Sequence, residues 1–195
     1  MSNIEPRLEA VLVRLCERLG ELYKTQAVKL PYLVDVVANH VLGESITGGT
    51  HQAWKMGVVT SEAYSYITHR DESDSPLKTR VSLFGRRLLR SEGPPKERLS
   101  DVELAIVDYV AEQYGSLSVK VLGDLTKALN SELPPEAWGS NRQARVDKEA
   151  YLRLDEGWQE FARRLPHLDL ENRAHWSEPI QDDPAGHFKH LLASR

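Results

Sequence analysis

The stretch HQAWKMGVVTSEAY, His51 to Tyr64, decides how this chain is read. Trp54, Lys55 and Gly57 sit at close spacing, Thr60 and Ser61 follow as helix-start residues, and Tyr64 closes the stretch. Nothing in it has the form of a catalytic motif, and it is not an ordinary amphipathic element. Trp54 and Tyr64 are large rings with one polar handle each. Gly57 between them permits a turn or a close backbone approach. Lys55 can lay its stem over Trp54 or pair with an acid. The combination reads as a structural connector between helices.

The flanking sequence supplies those helices. Leu8, Val11, Leu12, Leu15, Leu19, Leu22 and Tyr23 recur at helical spacing and predict an amphipathic helix over 6–23, with Cys16 beside the stripe. A second helix, 30–42, carries Leu30, Leu33, Val34, Val37, Ala38, Val41 and Leu42. Pro31 suits only its first turn, and Gly43 is placed to end it. Asp35, Asn39 and His40 lie near this stripe as candidate semi-buried polar groups. A short helix capped by Thr60 or Ser61 places Tyr64 and Ile67 on one face. VSLFGRRLLR, Val81 to Arg90, has a glycine between two apolar runs and predicts a small β-hairpin.

The clearest helix start is Ser100, with Glu103 completing a capping box and Leu99 and Leu104 at staple spacing. That helix runs to Tyr114 and ends at Gly115. Ser118 caps a further helix, 118–130, with Val121, Leu122, Leu125 and Leu129 inward. Pro134-Pro135 stops the pattern before Trp138. Tyr151, Leu154, Trp158, Phe161 and Leu165 step by threes and fours, and Asp183-Pro184 opens a last short helix with Phe188, Leu191 and Leu192. The expected fold is mainly α: a compact helical domain over 1–140 with a small β-hairpin or minor β element, and a C-terminal helical extension over 141–195.

Composition narrows the function. The 195 residues suffice for one hydrophobic core plus an appendage. There is no 18-residue apolar run to span a membrane, and MSNIEPRLEAVL lacks the basic and apolar regions of a signal peptide, so the expected location is the cytoplasm. Cys16, the single cysteine, excludes an intramolecular disulfide and a cysteine-based zinc cluster. None of the seven histidines lies in HExxH, and His187 and His190 read as a solvated pair. GxxxxGK[ST], GxGxxG and GxSxG do not occur. No catalytic, metal-binding or cofactor-binding residue is assigned, and the chain is not expected to be an enzyme.

The net charge is −4, but Lys78, Arg80, Arg86, Arg87, Arg90, Lys96 and Arg98 against Glu92 and Glu97 make residues 78–98 net +5 and the remainder net −9. A DNA-binding regulator is therefore the alternative function, with 100–114 and 118–130 as a helix-turn-helix and the 81–90 hairpin as a wing. The recognition helix SVKVLGDLTKALN offers only Lys120, Lys127 and Asn130, carries Asp124, and has no Arg or Gln for base edges. Sequence-specific DNA binding is not expected.

Four elements carry a resemblance. Lys29-Leu30 leads through Leu33 to Gly43. Ala53-Trp54-Lys55-Met56-Gly57-Val58-Val59 is followed by Tyr64. Leu99, Ser100 and Glu103 open a helix that ends in Tyr114-Gly115. Ser118, Leu122, Leu125 and Thr126 precede Trp138. In this order and spacing, over about residues 5–140, the chain resembles a divergent member of the Panacea domain family, the SocA-like antitoxins. It departs at Val58, where the family pattern has proline, and at Lys127, where it has histidine.

The resemblance implies a bacterial or phage-associated protein that binds and neutralises a toxin encoded by the adjoining gene, without catalysis or cofactor. One family member is a proteolytic adaptor that hands its toxin to a protease, so a protease is a further implied partner. It also implies a mostly helical fold with a small β element. Leu30, Gly43, Ala53, Trp54, Lys55, Gly57, Tyr64, Ser100, Glu103, Tyr114, Gly115, Leu125, Thr126 and Trp138 are then framework positions. Trp158, Phe161, Trp176 and Phe188 of the extension are the candidate partner contacts, since aromatics are favoured as interface anchors.

Overall fold

The computed structural model describes residues 4–69, 74–130, 132–140, 142–144 and 146. Helix α1 (Pro6–Leu19) forms where the first apolar stripe predicts it, and Leu8, Val11, Leu12 and Leu15 are fully buried. It ends earlier than expected, at Gly20, whose N–H donates to the Cys16 carbonyl. Leu22-Tyr23 is strand β1, and helix α2 (Lys24–Leu42) follows at once.

Pro31 therefore lies inside α2 and not in its first turn. The helix tolerates it because every residue from Ala27 to Ala38 is buried. Packing on all sides outweighs the one backbone bond that a proline removes. The first turn is secured by the Gln26 side chain, which accepts from the Tyr23 N–H at 2.8 Å.

The opening stretch is strand β2 (His51–Trp54), a two-residue turn, strand β3 (Gly57–Thr60) and helix α3 (Ser61–His69). Then come β4 (Leu77–Val81), β5 (Arg87–Ser91), α4 (Asp101–Tyr114), α5 (Val119–Ala128), a single 3₁₀ turn at Pro135–Ala137, and β6 (Arg142–Gln143). The strands form two three-stranded antiparallel sheets, in the orders β1-β5-β4 and β3-β2-β6. The expectation of a mainly α fold with a minor β element is thus corrected: the described residues form five helices and two sheets, a mixed α/β architecture.

The reason is physical. β1 and β6 are two residues long, too short to show alternation. β3 is buried at all four positions, so it reads as a continuous run and not as a strand with one wet face. The hairpin at Val81–Arg90 does form, but most of its pairing lies outside that window, with Leu77 opposite Ser91 and Lys78 opposite Arg90. The expected helices of the C-terminal extension fall outside the described residues.

α2 is the central helix, packing against α1, α3, α4, α5, β1, β3 and β5. α1 lies along α4, where Arg14 grips the Asp108 carboxylate with two bonds of 2.7 Å and Arg7 pairs with Glu103. The capping box is present: the Ser100 hydroxyl accepts from the Glu103 N–H, and the Glu103 carboxylate accepts from the Ser100 N–H at 2.7 Å. Among the described residues no helix is long and apolar enough to cross a membrane. Because the box also seats the buried Glu103 carboxylate, Ser100→Ala is expected to lower stability by about 1–2 kcal/mol in urea unfolding, with an unchanged m-value.

Candidate functional site

The β2–β3 hairpin turns at Lys55-Met56, both exposed, and closes through Gly57 at φ 97°. Gly57 is required for two reasons. Its φ lies where side chains are strained, and an added Cβ would stand 2.4 Å from Thr126 Oγ1 and 2.7 Å from the Gly123 carbonyl oxygen. The hairpin thus rests directly on α5.

β3 is the edge of its sheet, and its outward backbone groups meet side chains in place of a further strand. The Val58 N–H donates to Thr126 Oγ1 at 3.0 Å, and the Thr126 hydroxyl in turn donates to the Gly123 carbonyl. The Val58 carbonyl accepts from Lys29 Nζ at 2.9 Å. One residue of the edge is thereby held by α5 on its N–H and by α2 on its C=O. A proline, which the resemblance expects at 58, is tolerated on an edge because it has no N–H. Val58 adds that donor, and Thr126 accepts it.

A second polar cluster lies further along α2, at Asp35. Asp35 is fully buried, and its carboxylate accepts from the Ile46 N–H at 2.8 Å, the Thr47 N–H at 2.9 Å, the Thr47 hydroxyl, and His51 Nε2 at 2.8 Å. Four donors fill the lone-pair sites of the carboxylate, and this network assigns the imidazole N–H to His51 Nε2. His51 Nδ1 lies 3.1 Å from Thr60 Oγ1. Thr60, His51 and Asp35 are wired like a nucleophile, base and orienting acid. All three are buried, with Thr60 and Asp35 at 0% exposure, so the hydroxyl is closed to any substrate. The trio instead ties the start and end of the hairpin to α2. The Tyr32 ring meets His51 edge-on at 5.3 Å, and Tyr32 OH accepts from Asn130 Nδ2 at 2.7 Å, which carries the connection on to the end of α5.

The aromatic pair of the opening stretch is also brought together. Trp54 and Tyr64 meet edge to face at 4.6 Å, and Lys24 Nζ lies 3.8 Å from the Tyr64 ring centre. Trp54 is half-buried, with its indole N–H donated to Gln52. Lys55 is exposed at the turn. Lys127, at the position of the family's histidine, lies with Nζ 5.7 Å from the Trp138 ring centre.

Leu30, Ala53 and Leu125 are core residues, Gly43 ends α2 in the left-handed conformation, and Tyr114 packs edge-on to Tyr109 before Gly115. Trp158, Phe161, Trp176 and Phe188, as well as His187 and His190, lie outside the described residues. No group of three or more metal-ligating side chains gathers among the described residues. Sequence reasoning had marked Asp35 as semi-buried, but gave His51 no role. Its partner is 16 residues away, and no local pattern announces it.

Burial pushes the Lys29 ammonium down to about 8, and the nearby charge of Lys127 pushes the same way. The unfolded chain holds that proton up to about pH 10.4. Between about pH 8 and 10 the unfolded state therefore binds more protons at this site, and the folded state gains as pH rises. Denaturation of wild type and Lys29→Met in parallel should show wild type gaining about 2 kcal/mol relative to the variant between pH 7 and 10. Gly57→Ala should cost about 2–4 kcal/mol through the strained φ and the clash with α5, measured as a fall in the urea midpoint.

Residues 28–131, more than half of the chain, match the family described as Antitoxin SocA-like, Panacea domain. Comparison with curated proteins and with solved structures returns no match. The matched segment takes in most of α2, the β2–β3 hairpin, α3, β4, β5, α4 and α5, and so every side chain that grips Val58 or surrounds Asp35. The chain belongs to the SocA-like antitoxin, Panacea domain family.

Proposed function

We propose that the chain neutralises a toxin protein by binding it, without chemistry of its own. The observation that carries this reading is the family match across residues 28–131. The internal geometry supports it. Lys29, Asp35, His51, Thr60 and Thr126 spend their polar atoms on one another, on the hairpin backbone, on the Ile46-Thr47 loop and on α5. They build a frame, and recognition is left to exposed surface. A stable complex commonly buries about 800 Å² on each partner.

The DNA-regulator alternative is weakened at its reading helix. Of the three side chains available there, Asn130 is buried and bonded to Tyr32, and Lys127 lies by Trp138. Only Lys120 stands exposed, beside the exposed Asp124.

The test is genetic. The product of the adjoining reading frame is expressed alone and then with this chain. Arrest of growth by the first and recovery with the second is the expected result. A harmless neighbour that also fails to co-purify with the chain would defeat the reading.

A further inference from the structure

The tip of the β4–β5 hairpin breaks the usual rule for turns. Its backbone is well held. The Ser82 N–H donates to the Arg86 carbonyl at 2.8 Å, the Arg86 N–H to the Ser82 hydroxyl at 3.1 Å, and the Gly85 N–H to the Ser82 carbonyl at 2.9 Å. Gly85 at φ 72° supplies the left-handed residue that closes a three-residue hairpin loop. The other two loop residues would ordinarily be small or polar. Here they are Leu83, 101% exposed, and Phe84, 89% exposed. Neither contributes to the core, and both are presented on a defined loop.

The flanks are equally unusual. Between Leu77 and Ser91 there are five basic residues and no acid. Lys78 stands directly opposite Arg90 across the ladder, an arrangement that disfavours the pairing. Glu21 holds Arg80, and Arg87 donates to the carbonyls of Ile67 and Thr68, so these two arginines anchor the hairpin to the body, while Arg90 pairs locally with Glu92. Arg86, next to the tip, meets no acid among the described residues and lies 5.8 Å from the ring centre of the exposed Tyr23.

We infer that this hairpin is a docking finger whose Leu83 and Phe84 enter an apolar pocket on a partner protein, with Arg86 against an acidic rim. The inference rests on the neutraliser reading above and makes the toxin that partner. The charge distribution selects a protein over an anionic bilayer or DNA. Net positive charge is concentrated in the hairpin and the segment after it, net +5 over 78–98, while the rest of the chain is net −9. A small acidic rim lies within the screening length of about 8 Å and feels the finger alone. An extended anionic surface also meets the acidic remainder.

The test uses the full chain carrying Leu83→Ser and Phe84→Ser together, with the product of the adjoining reading frame as the probe. The free variant should melt like wild type, because neither side chain is buried. Its Kd for the probe should rise at least about 100-fold, from the loss of two buried apolar side chains, and growth rescue should be lost. Wild-type binding should weaken with added salt, and Arg86→Glu should weaken it further.

A double variant that binds and rescues like wild type overturns the finger and leaves the neutraliser reading standing. A wild-type chain that neither binds nor rescues overturns the neutraliser reading, and the finger with it. A lowered melting temperature in the free double variant overturns the finger too, because the tip would then pack on its own chain. Phosphatidylserine vesicles and a mixed-sequence DNA duplex are assayed alongside. Binding to either that the double variant loses overturns the assignment to a protein.

Discussion

A carboxylate buried away from water must be surrounded by donors, and Asp35 meets that demand with groups from the loop after α2 and from the start of β2. Two backbone N–H groups and a hydroxyl come from Ile46 and Thr47, and an imidazole comes from the first residue of β2. Each donor fixes the path of its own segment relative to α2. The loop after α2 is closed by this arrangement, and the register of the hairpin begins from it. Breaking such a site by removing one charged partner is far more damaging than never having built it.

The hairpin's far end is set by a different device. Where Asp35 collects donors, Val58 gives one group to α5 and one to α2. The two polar clusters stand at opposite ends of the same hairpin, so its position is defined twice. Gly57 allows the close approach that makes the second contact possible. Lys29 serves here at a disadvantage. Its ammonium is buried against a carbonyl, with no carboxylate to balance it among the ion pairs of the described residues. The fold accepts the unfavourable charge to satisfy a backbone group that would otherwise be stranded.

Much of the helical framework was legible because helices write their faces into sequence over many residues. The stripe of α1, the Ser100–Glu103 box and the Ser118 cap all appear where spacing puts them. The sheets were not legible, because four of their six strands carry four residues or fewer and one is buried throughout. Pro31 misled for a related reason: its rule is local, while its tolerance comes from packing around the whole of α2. Of the polar clusters, only Asp35 carried a signal, an acid beside an apolar stripe. His51, Thr60 and Lys29 take their meaning from partners distant in the chain. Leu83 and Phe84 were in plain view but looked like ordinary strand residues until the loop placed them at its apex.

The side-chain edge of β3 has a consequence for how the molecule meets others. An open strand edge invites any extended segment to pair with it, whatever its sequence. At Val58 that invitation is withdrawn, since both hydrogen-bonding groups are already engaged by Thr126 and Lys29. This side of the sheet is deaf to backbone and cannot be extended at that point by a stray strand. With β3 buried at all four positions against α2 and α5, the edge is closed by the chain's own helices, and contacts with other molecules fall to surfaces elsewhere.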